Sequence, residues 1–265
     1  MNILLIGRGR VGSALRRSAE SSGLHHVVAA GRRWKPSDVQ GADVIVLAVS
    51  DDSIEMVARA IAPHLSPRVA VLHCAGARGT DELRACEARG AAVGVMHPLV
   101  SFPSTRSNPG LRGATFTVNG SRGAIAASRR IAKACGARVV VAETGDAGYH
   151  AAAALAANGA VALAFVSVSV LERVGFERRS AERAIGGLLQ SVGENVQSLG
   201  VPRALTGPIA RGEVGAVRGH RKALRRVSRD ALSAYDAVVP IIVKCARAAG
   251  LPQAKASKIL RAAKP

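Results

Sequence analysis

A glycine-rich turn near the start of the chain, and a scatter of histidine, asparagine and arginine side chains further on, are the residues most able to do chemistry. Gly7-Arg8-Gly9-Arg10-Val11-Gly12 follows the apolar run Asn2-Ile3-Leu4-Leu5-Ile6 and leads into a helical pattern. Glycines at this spacing, between a strand and a helix, form a phosphate cradle. The first permits a tight turn, the second lets a pyrophosphate approach the backbone, and the third lets helix and strand pack closely. Amides in the first turn of the helix then hold the phosphates. A bound dinucleotide is expected at Gly7, Arg8, Gly9, Arg10, Val11 and Gly12. An NAD site would place a carboxylate about 20 residues further on, against the ribose. This chain reads Ala30-Gly31-Arg32-Arg33 there, without an acid. Arg32 and Arg33 suit a 2′-phosphate, which a guanidinium grips through two hydrogen bonds. The expected cofactor is therefore NADP(H). Val49 and Ser50 close a third apolar run, at the edge where open sheets take their ligands.

Hydride transfer to a C=O or C=N bond needs a polarising group and a proton donor beside the cofactor. His97, in His97-Pro98-Leu99-Val100-Ser101-Phe102, ends an apolar run, and Pro98 stiffens the backbone after it. His150 and Asn158 lie two turns apart on one long helical pattern and point to nearly the same side. His97, His150 and Asn158 are the catalytic candidates, with Asn158 bonding a substrate oxygen and a histidine giving the proton. Thr206-Gly207-Pro208 is a turn, and Arg211 beyond it suits a substrate carboxylate. Thr206 and Arg211 are thus the candidates for substrate binding. Each has a structural alternative: His97 as a packed loop residue, Asn158 as a bond between helices, Arg211 as an ion pair with Glu213 or Asp230. His73 reads as a strand-end residue bonded to backbone. His220 shares a helical side with Leu224 and Val227 and reads as a satisfied core histidine.

The elements that must position these groups alternate. Short apolar strands and helical patterns follow one another to about Thr144, the mark of a parallel sheet with helices on both faces. A helix is expected to begin at Asp52 with Glu55 as its capping partner, and another to run from Asp81 to Arg89. After Gly145 the strands stop and long helices follow, over Asp146 to Val174, Arg178 to Leu199 and about Val214 to Ala263. The expected domains are residues 1–145, a doubly wound α/β unit, and residues 146–265, all-α. Tyr149 to Leu171 carries no Asp, Glu, Lys or Arg and is long enough to span a bilayer. Its Ala-rich composition and its His150, Asn158 and serines favour a buried helix over a membrane span.

Apolar residues make up 48% of the 265-residue chain, which favours a folded protein over a disordered one. The net charge of +19 favours anionic ligands. The basic residues run through both halves without interleaved aromatics, so a nucleic-acid surface is not expected. Arg218, Lys222, Arg225 and Arg229 read as one solvated helical face. The four cysteines form no close pair, which fits reduced thiols in the cytoplasm and offers no metal site.

Taken together, the HPLxSF stretch at 97–102, His73-Cys74-Ala75-Gly76, Tyr149-His150-Ala151-Ala152 and Thr206-Gly207-Pro208-Ile209-Ala210-Arg211-Gly212-Glu213 resemble a family. It is that of uncharacterised Rossmann-type NADP oxidoreductases whose C-terminal half is a helical domain of unknown function. More distantly the chain is similar to ketopantoate reductases, pyrroline-5-carboxylate reductases and prephenate dehydrogenases. The second half resembles the C-terminal domain of 6-phosphogluconate dehydrogenase-like enzymes. The resemblance implies a helical domain that closes the active site, a homodimer, and reduction of a small carboxylated carbonyl or imine, with a 2-oxoacid such as ketopantoate first. Two departures stand against a direct transfer of mechanism. Ala75 stands where the family has a serine, and no lysine occurs between Lys133 and Lys222, where related enzymes use one. A non-catalytic NADP-binding sensor is the alternative these departures favour.

Overall fold

The computed structural model describes residues 1–21, 27–31, 34–106, 110–143 and 145–264. Two compact units result, Met1–Ala154 and Leu155–Pro265. The division falls inside a long helix, Ala147–Arg173, rather than in the loop at Gly145. The first turns of that helix are hydrogen-bonded into the first unit through Tyr149.

In the first unit the chain runs β1 (Ile3–Ile6), α1 (Arg10–Ser21), β2 (Val27–Ala30), α2 (Pro36–Gln40), β3 (Val44–Leu47), α3 (Ile54–Ile61), β4 (Ala70–His73), α4 (Arg84–Glu87), β5 (Ala92–Pro98), β6 (Thr115–Gly120), α5 (Arg122–Ala134) and β7 (Arg138–Val141). The sheet order is β2-β1-β3-β4-β5-β6-β7. Strands β1 to β5 are mutually parallel, β6 is antiparallel to β5, and β7 is parallel to β6. The reversal has a simple cause. A parallel return needs a crossover, usually a helix, and among the described residues no helix lies between β5 and β6. Strands β1, β3 and β4 are buried along their whole length, which is why their sequences are continuously apolar rather than alternating. Alternate residues feed two cores. Ile3 and Leu5 pack with Ala14, Leu15, Ala127 and Ile131 of α1 and α5. Leu4 and Ile6 pack with Val39, Ala58, Ile61 and Cys86 of α2 to α4. This is the doubly wound Rossmann arrangement. Because the chain passes from β1 to β2 on one side and to β3 on the other, the crevice between β1 and β3 is its topological switch point.

Two local expectations are corrected. Asp51–Ser53 is a 3₁₀ turn before α3 with no side-chain cap. Asp52 instead binds Arg78 at 2.9 Å, and Glu55 binds Arg59 one helical turn on, so both carboxylates go to arginines in this Arg-rich chain. The helix expected over Asp81–Arg89 is a 3₁₀ turn at Thr80–Leu83 followed by the short α4. Gly90 then reverses the chain at φ +80°.

The second unit continues that long helix, α6 (Ala147–Arg173), and adds α7 (Arg178–Leu199), α8 (Pro208–Arg211), α9 (Val214–Val227), α10 (Arg229–Ala248) and α11 (Gln253–Ala262). Its core comes from the last four helices and includes Ile209, Val217, Val239, Val243 and Ile259. Arg221, buried on α9, binds Asp236 of α10 through two nitrogens at 2.8 and 3.0 Å. The expectation that α6 is buried fails. Only Val168 on α6 and only Ala181 on α7 are buried, because α8–α11 pack on one another. Leu155 and Phe165 stand 77% and 69% exposed. Among the described residues α6 is the one helix long and apolar enough to cross a membrane. Arg229 does not share a face with Arg218, Lys222 and Arg225, since the chain leaves α9 at Ser228, which caps α10.

Candidate active site

The three glycines meet three different surroundings, and each explains its own place. Gly7 has φ +126°, and a Cβ built there would lie 2.2 Å from the carbonyl oxygen of Ala48. Any side chain would break the contact between the turn after β1 and the chain leaving β3. A Cβ on Gly12 would lie 2.2 Å from the Gly7 carbonyl oxygen, so α1 can sit this close to β1 only with glycine there. Gly9 has nothing within 4 Å of the Cβ it lacks. That open space is where a pyrophosphate would approach. Sterics alone thus require glycine at Gly7 and Gly12 and leave Gly9 open. Val11 follows in the first turn of α1, whose leading amides have no partner within the helix. Val49 and Ser50 lie across the switch point. The Val49 amide nitrogen is 3.2 Å from the position of Gly7's missing Cβ, and Ser50 is exposed with its hydroxyl 2.7 Å from that of Ser53.

The two arginines of the turn separate. Arg10 donates to the Phe102 carbonyl at 3.2 Å and leans toward the loop after β5. Arg8 reaches the end of β2, where it donates to the Ala29 carbonyl at 3.4 Å, and its Nε lies 3.5 Å from the position of Gly31's missing Cβ. A dinucleotide's adenosine ribose is recognised at this strand end. Arg32 and Arg33, the expected 2′-phosphate ligands, lie outside the described residues.

A second cluster forms where β4 and β5 end. Because β5 is parallel to β1, β3 and β4, its last residues fall at the same carboxyl edge as the glycine turn. His97 is half-buried there. Its Nδ1 lies 2.7 Å from the Tyr149 hydroxyl, with the rings edge to face at 5.6 Å. The Tyr149 hydroxyl donates to Thr117 Oγ1 at 2.9 Å. Thr117 lies directly opposite His97 in the β5–β6 register, so the two side chains share one face of the sheet. The ring of His97 lies on the backbone of Gly76, where a Cβ would come within 2.8–2.9 Å of three ring atoms. The loop that carries Gly76 is tied down by His73. The fully buried His73 accepts from the Ala75 amide at 3.2 Å on Nδ1 and donates from Nε2 to the Gly79 carbonyl at 2.9 Å. The Gly145 amide donates to the Gly76 carbonyl at 3.3 Å, which holds the start of α6 against the same loop.

Burial pushes both histidines below the usual histidine range. For His73 the Gly79 carbonyl opposes the shift. For His97 the nearby His150 adds to it, as does His73, while Asp51 opposes it. Both rings are therefore neutral at pH 7. Burial raises the Tyr149 hydroxyl above its ordinary value, so it keeps its proton. Cys74, beside His73, is buried and pushed up to about 12, which removes it as a nucleophile. No group of metal-ligating side chains occurs among the described residues.

Of the sequence candidates, His97 and His150 fall in the first unit, with His97 at the centre of the cluster and His150 exposed at the start of α6. Asn158, Thr206 and Arg211 belong to the second unit and are exposed. Arg211 binds Glu213 through Nε at 2.5 Å, the ion-pair alternative. His220 is exposed rather than in the core, with its Nδ1 3.0 Å from the Tyr235 hydroxyl. Thr117 was not singled out from sequence, and Tyr149 and Gly76 entered only as members of motifs, without a role at the site. Tyr149 stood beside a histidine, and no spacing rule relates it to position 97. A cavity of about 540 Å³ at the opposite, amino edge of the sheet, lined by Asp43, Arg68 and Arg130, lies away from these residues.

Residues 114–241 match a family described as a domain of unknown function (DUF2520). No curated protein matches in sequence. Solved structures with the same fold include protein TM1727 from Thermotoga maritima, 22% identical, with 93% of this chain and 99% of that one covered and a TM-score of 0.65. They also include a Plasmodium falciparum pyrroline carboxylate reductase with NADP bound, 14% identical, covering 100% and 98%, with a TM-score of 0.60. A reductive aminase from Aspergillus terreus in complex with NADPH and ethyl levulinate is 14% identical, covering 97% and 98%, with a TM-score of 0.57.

Proposed function

We propose that the protein is an NADP(H)-dependent oxidoreductase acting on a small carboxylated carbonyl or imine. The observation that carries this reading is the glycine turn. A Cβ at Gly7 or Gly12 would strike backbone, Gly9 is open, and Arg8 reaches the β2 end where a 2′-phosphate would lie. Gly7, Gly9, Val11 and Gly12 hold the pyrophosphate, and Arg8, with Arg32 and Arg33, holds the 2′-phosphate. The nicotinamide supplies or takes the hydride. His97 at the same sheet edge exchanges the proton, because it is a half-buried titratable group held by Tyr149 and floored by Gly76.

A C=N substrate fits the similar structures better than ketopantoate does. One similar protein is named for pyrroline carboxylate, a cyclic imine with a carboxylate, and another for reductive amination. Asn158, Thr206 and Arg211 are the second unit's candidates to hold the substrate. The bare apolar faces of α6 and α7 support a homodimer in which a second copy covers Leu155, Val161, Phe165, Leu188 and Val192. An apolar cleft of about 400 Å³ lined by Leu163, Val170, Ile185 and Tyr235 lies on this same unit. A non-catalytic NADP-binding sensor is the second reading, favoured by Ala75 and by the absence of lysine from α6. Turnover separates the two. Consumption of NADPH with cyclic imino acids or 2-oxoacids, lost in His97→Gln while NADPH still binds, supports the enzyme. Tight NADPH binding with no turnover across that panel supports the sensor.

A further inference from the structure

We infer that Tyr149 is a positioning residue that fixes the tautomer of His97, so that in the neutral ring Nε2 is a bare acceptor for an O–H or N–H of the substrate. This rests on the reading that His97 stands beside the reacting carbon of an NADP(H)-dependent reaction. The assignment follows from counting protons. A tyrosine hydroxyl has one proton, and that of Tyr149 goes to Thr117 Oγ1 at 2.9 Å. At 2.7 Å from the same hydroxyl, His97 Nδ1 can then bond only by donating its own hydrogen. A neutral imidazole carries one N–H, so the second nitrogen keeps a lone pair.

Three further contacts hold the arrangement. The β5–β6 register keeps Thr117 opposite His97. Gly76 supports the ring from below. The Gly145–Gly76 backbone bond anchors the start of α6, four residues before Tyr149. The tyrosine keeps its own proton because burial raises its pKa.

A histidine presented this way selects its ligand. A bare carbonyl or imine offers Nε2 no hydrogen, whereas the matching alcohol, amine or ammonium does. The neutral protein therefore prefers the hydrogen-bearing member of the redox pair. It engages the carbonyl or imine through its protonated form, in which Tyr149 still accepts from Nδ1 and Nε2 holds the proton to be given.

The test uses the full chain labelled with ¹⁵N-histidine, with His97 assigned by comparison with His97→Gln. The expected spectrum shows His97 protonated on Nδ1 and bare on Nε2 near pH 8. Tyr149→Phe removes the preference. Thr117→Val frees the tyrosine proton to turn toward Nδ1 and inverts the preference to Nε2–H, an outcome that general loosening of the site would not give. Activity of Tyr149→Phe falls about 10- to 100-fold in kcat, the loss typical when the partner that orients a metal-bound imidazole is removed, with the KM for NADPH unchanged. Protonation on Nε2 in the unmodified protein, or spectra unmoved by both substitutions, overturns the inference. Failure of the unmodified protein to bind NADPH by calorimetry overturns the cofactor reading instead, and the two results are read separately.

Discussion

Gly76→Ala isolates the role of the surface beneath His97. The new methyl carbon would lie 2.8–2.9 Å from Cε1, Nδ1 and Nε2 of the imidazole. Ordinary contact between such atoms is about 3.5–4.0 Å, so the ring must move by roughly 0.7–1 Å. Gly76 lies outside the left-handed region, so alanine adds no backbone strain, and an imidazole at the end of a side chain can swing aside. The fold should lose only about 1 kcal/mol, at the low end for overpacking. Geometry suffers more. A 1 Å misplacement of a reacting group costs about 100-fold in rate, or about 2.7 kcal/mol of barrier. The assay is NADPH consumption with a cyclic imino acid, alongside a thermal melt and an NADPH titration. The expected variant melts within a few degrees of the parent, binds NADPH equally well, and shows a kcat about 100-fold lower. A folded variant with the parental kcat would refute the claim that Gly76 positions His97 for catalysis.

Other perturbations address the remaining parts. Gly12→Ala drives a methyl into the Gly7 carbonyl, pushes α1 off β1, and should weaken NADPH binding at least about 10-fold with a stability loss of about 1–3 kcal/mol. Acid should destabilise the fold. Burial holds His73 and His97 below 6.5 in the folded chain, so the unfolded chain binds more protons as pH falls from 6.5 toward those lowered values, and stability drops through that window and is flat above it. A melting temperature unchanged between pH 8 and pH 5 would contradict this. His150, Asp51, His73 and Tyr149 are the groups that face His97 in that titration. The proposed homodimer predicts a dimer in sedimentation velocity that Leu155→Glu with Phe165→Glu turns into a monomer, since each apolar side chain so covered is worth about 1.5–3 kcal/mol. An unchanged mass would remove α6 from the interface.

The sheet was readable because its signals are local. β1 and β3 are unbroken apolar runs, and a glycine turn between a strand and a helix has few other uses. The helices of the second unit were readable from length and composition, yet the burial of α6 was not. An Ala-rich sequence without charge reads the same whether it packs in a core or against another chain. The site was legible only at single positions. His97 stood out as a histidine ending a strand, but Tyr149 lies 52 residues away and Gly76 lies 21. Their meeting depends on strand order and on the start of α6, neither of which a local pattern encodes. The capping role given to Asp52 and Glu55 failed for a related reason, since two distant or helical arginines compete for those carboxylates.

The most direct test of the central claim is a calorimetric titration of the protein with NADPH and with NADH, repeated on Arg8→Ala. The account predicts that NADPH binds more tightly than NADH. It also predicts that Arg8→Ala weakens NADPH about 10- to 100-fold, the worth of a charge-assisted hydrogen bond, and barely alters NADH. Absence of binding by either nucleotide, or equal affinities that Arg8→Ala leaves unchanged, would contradict it.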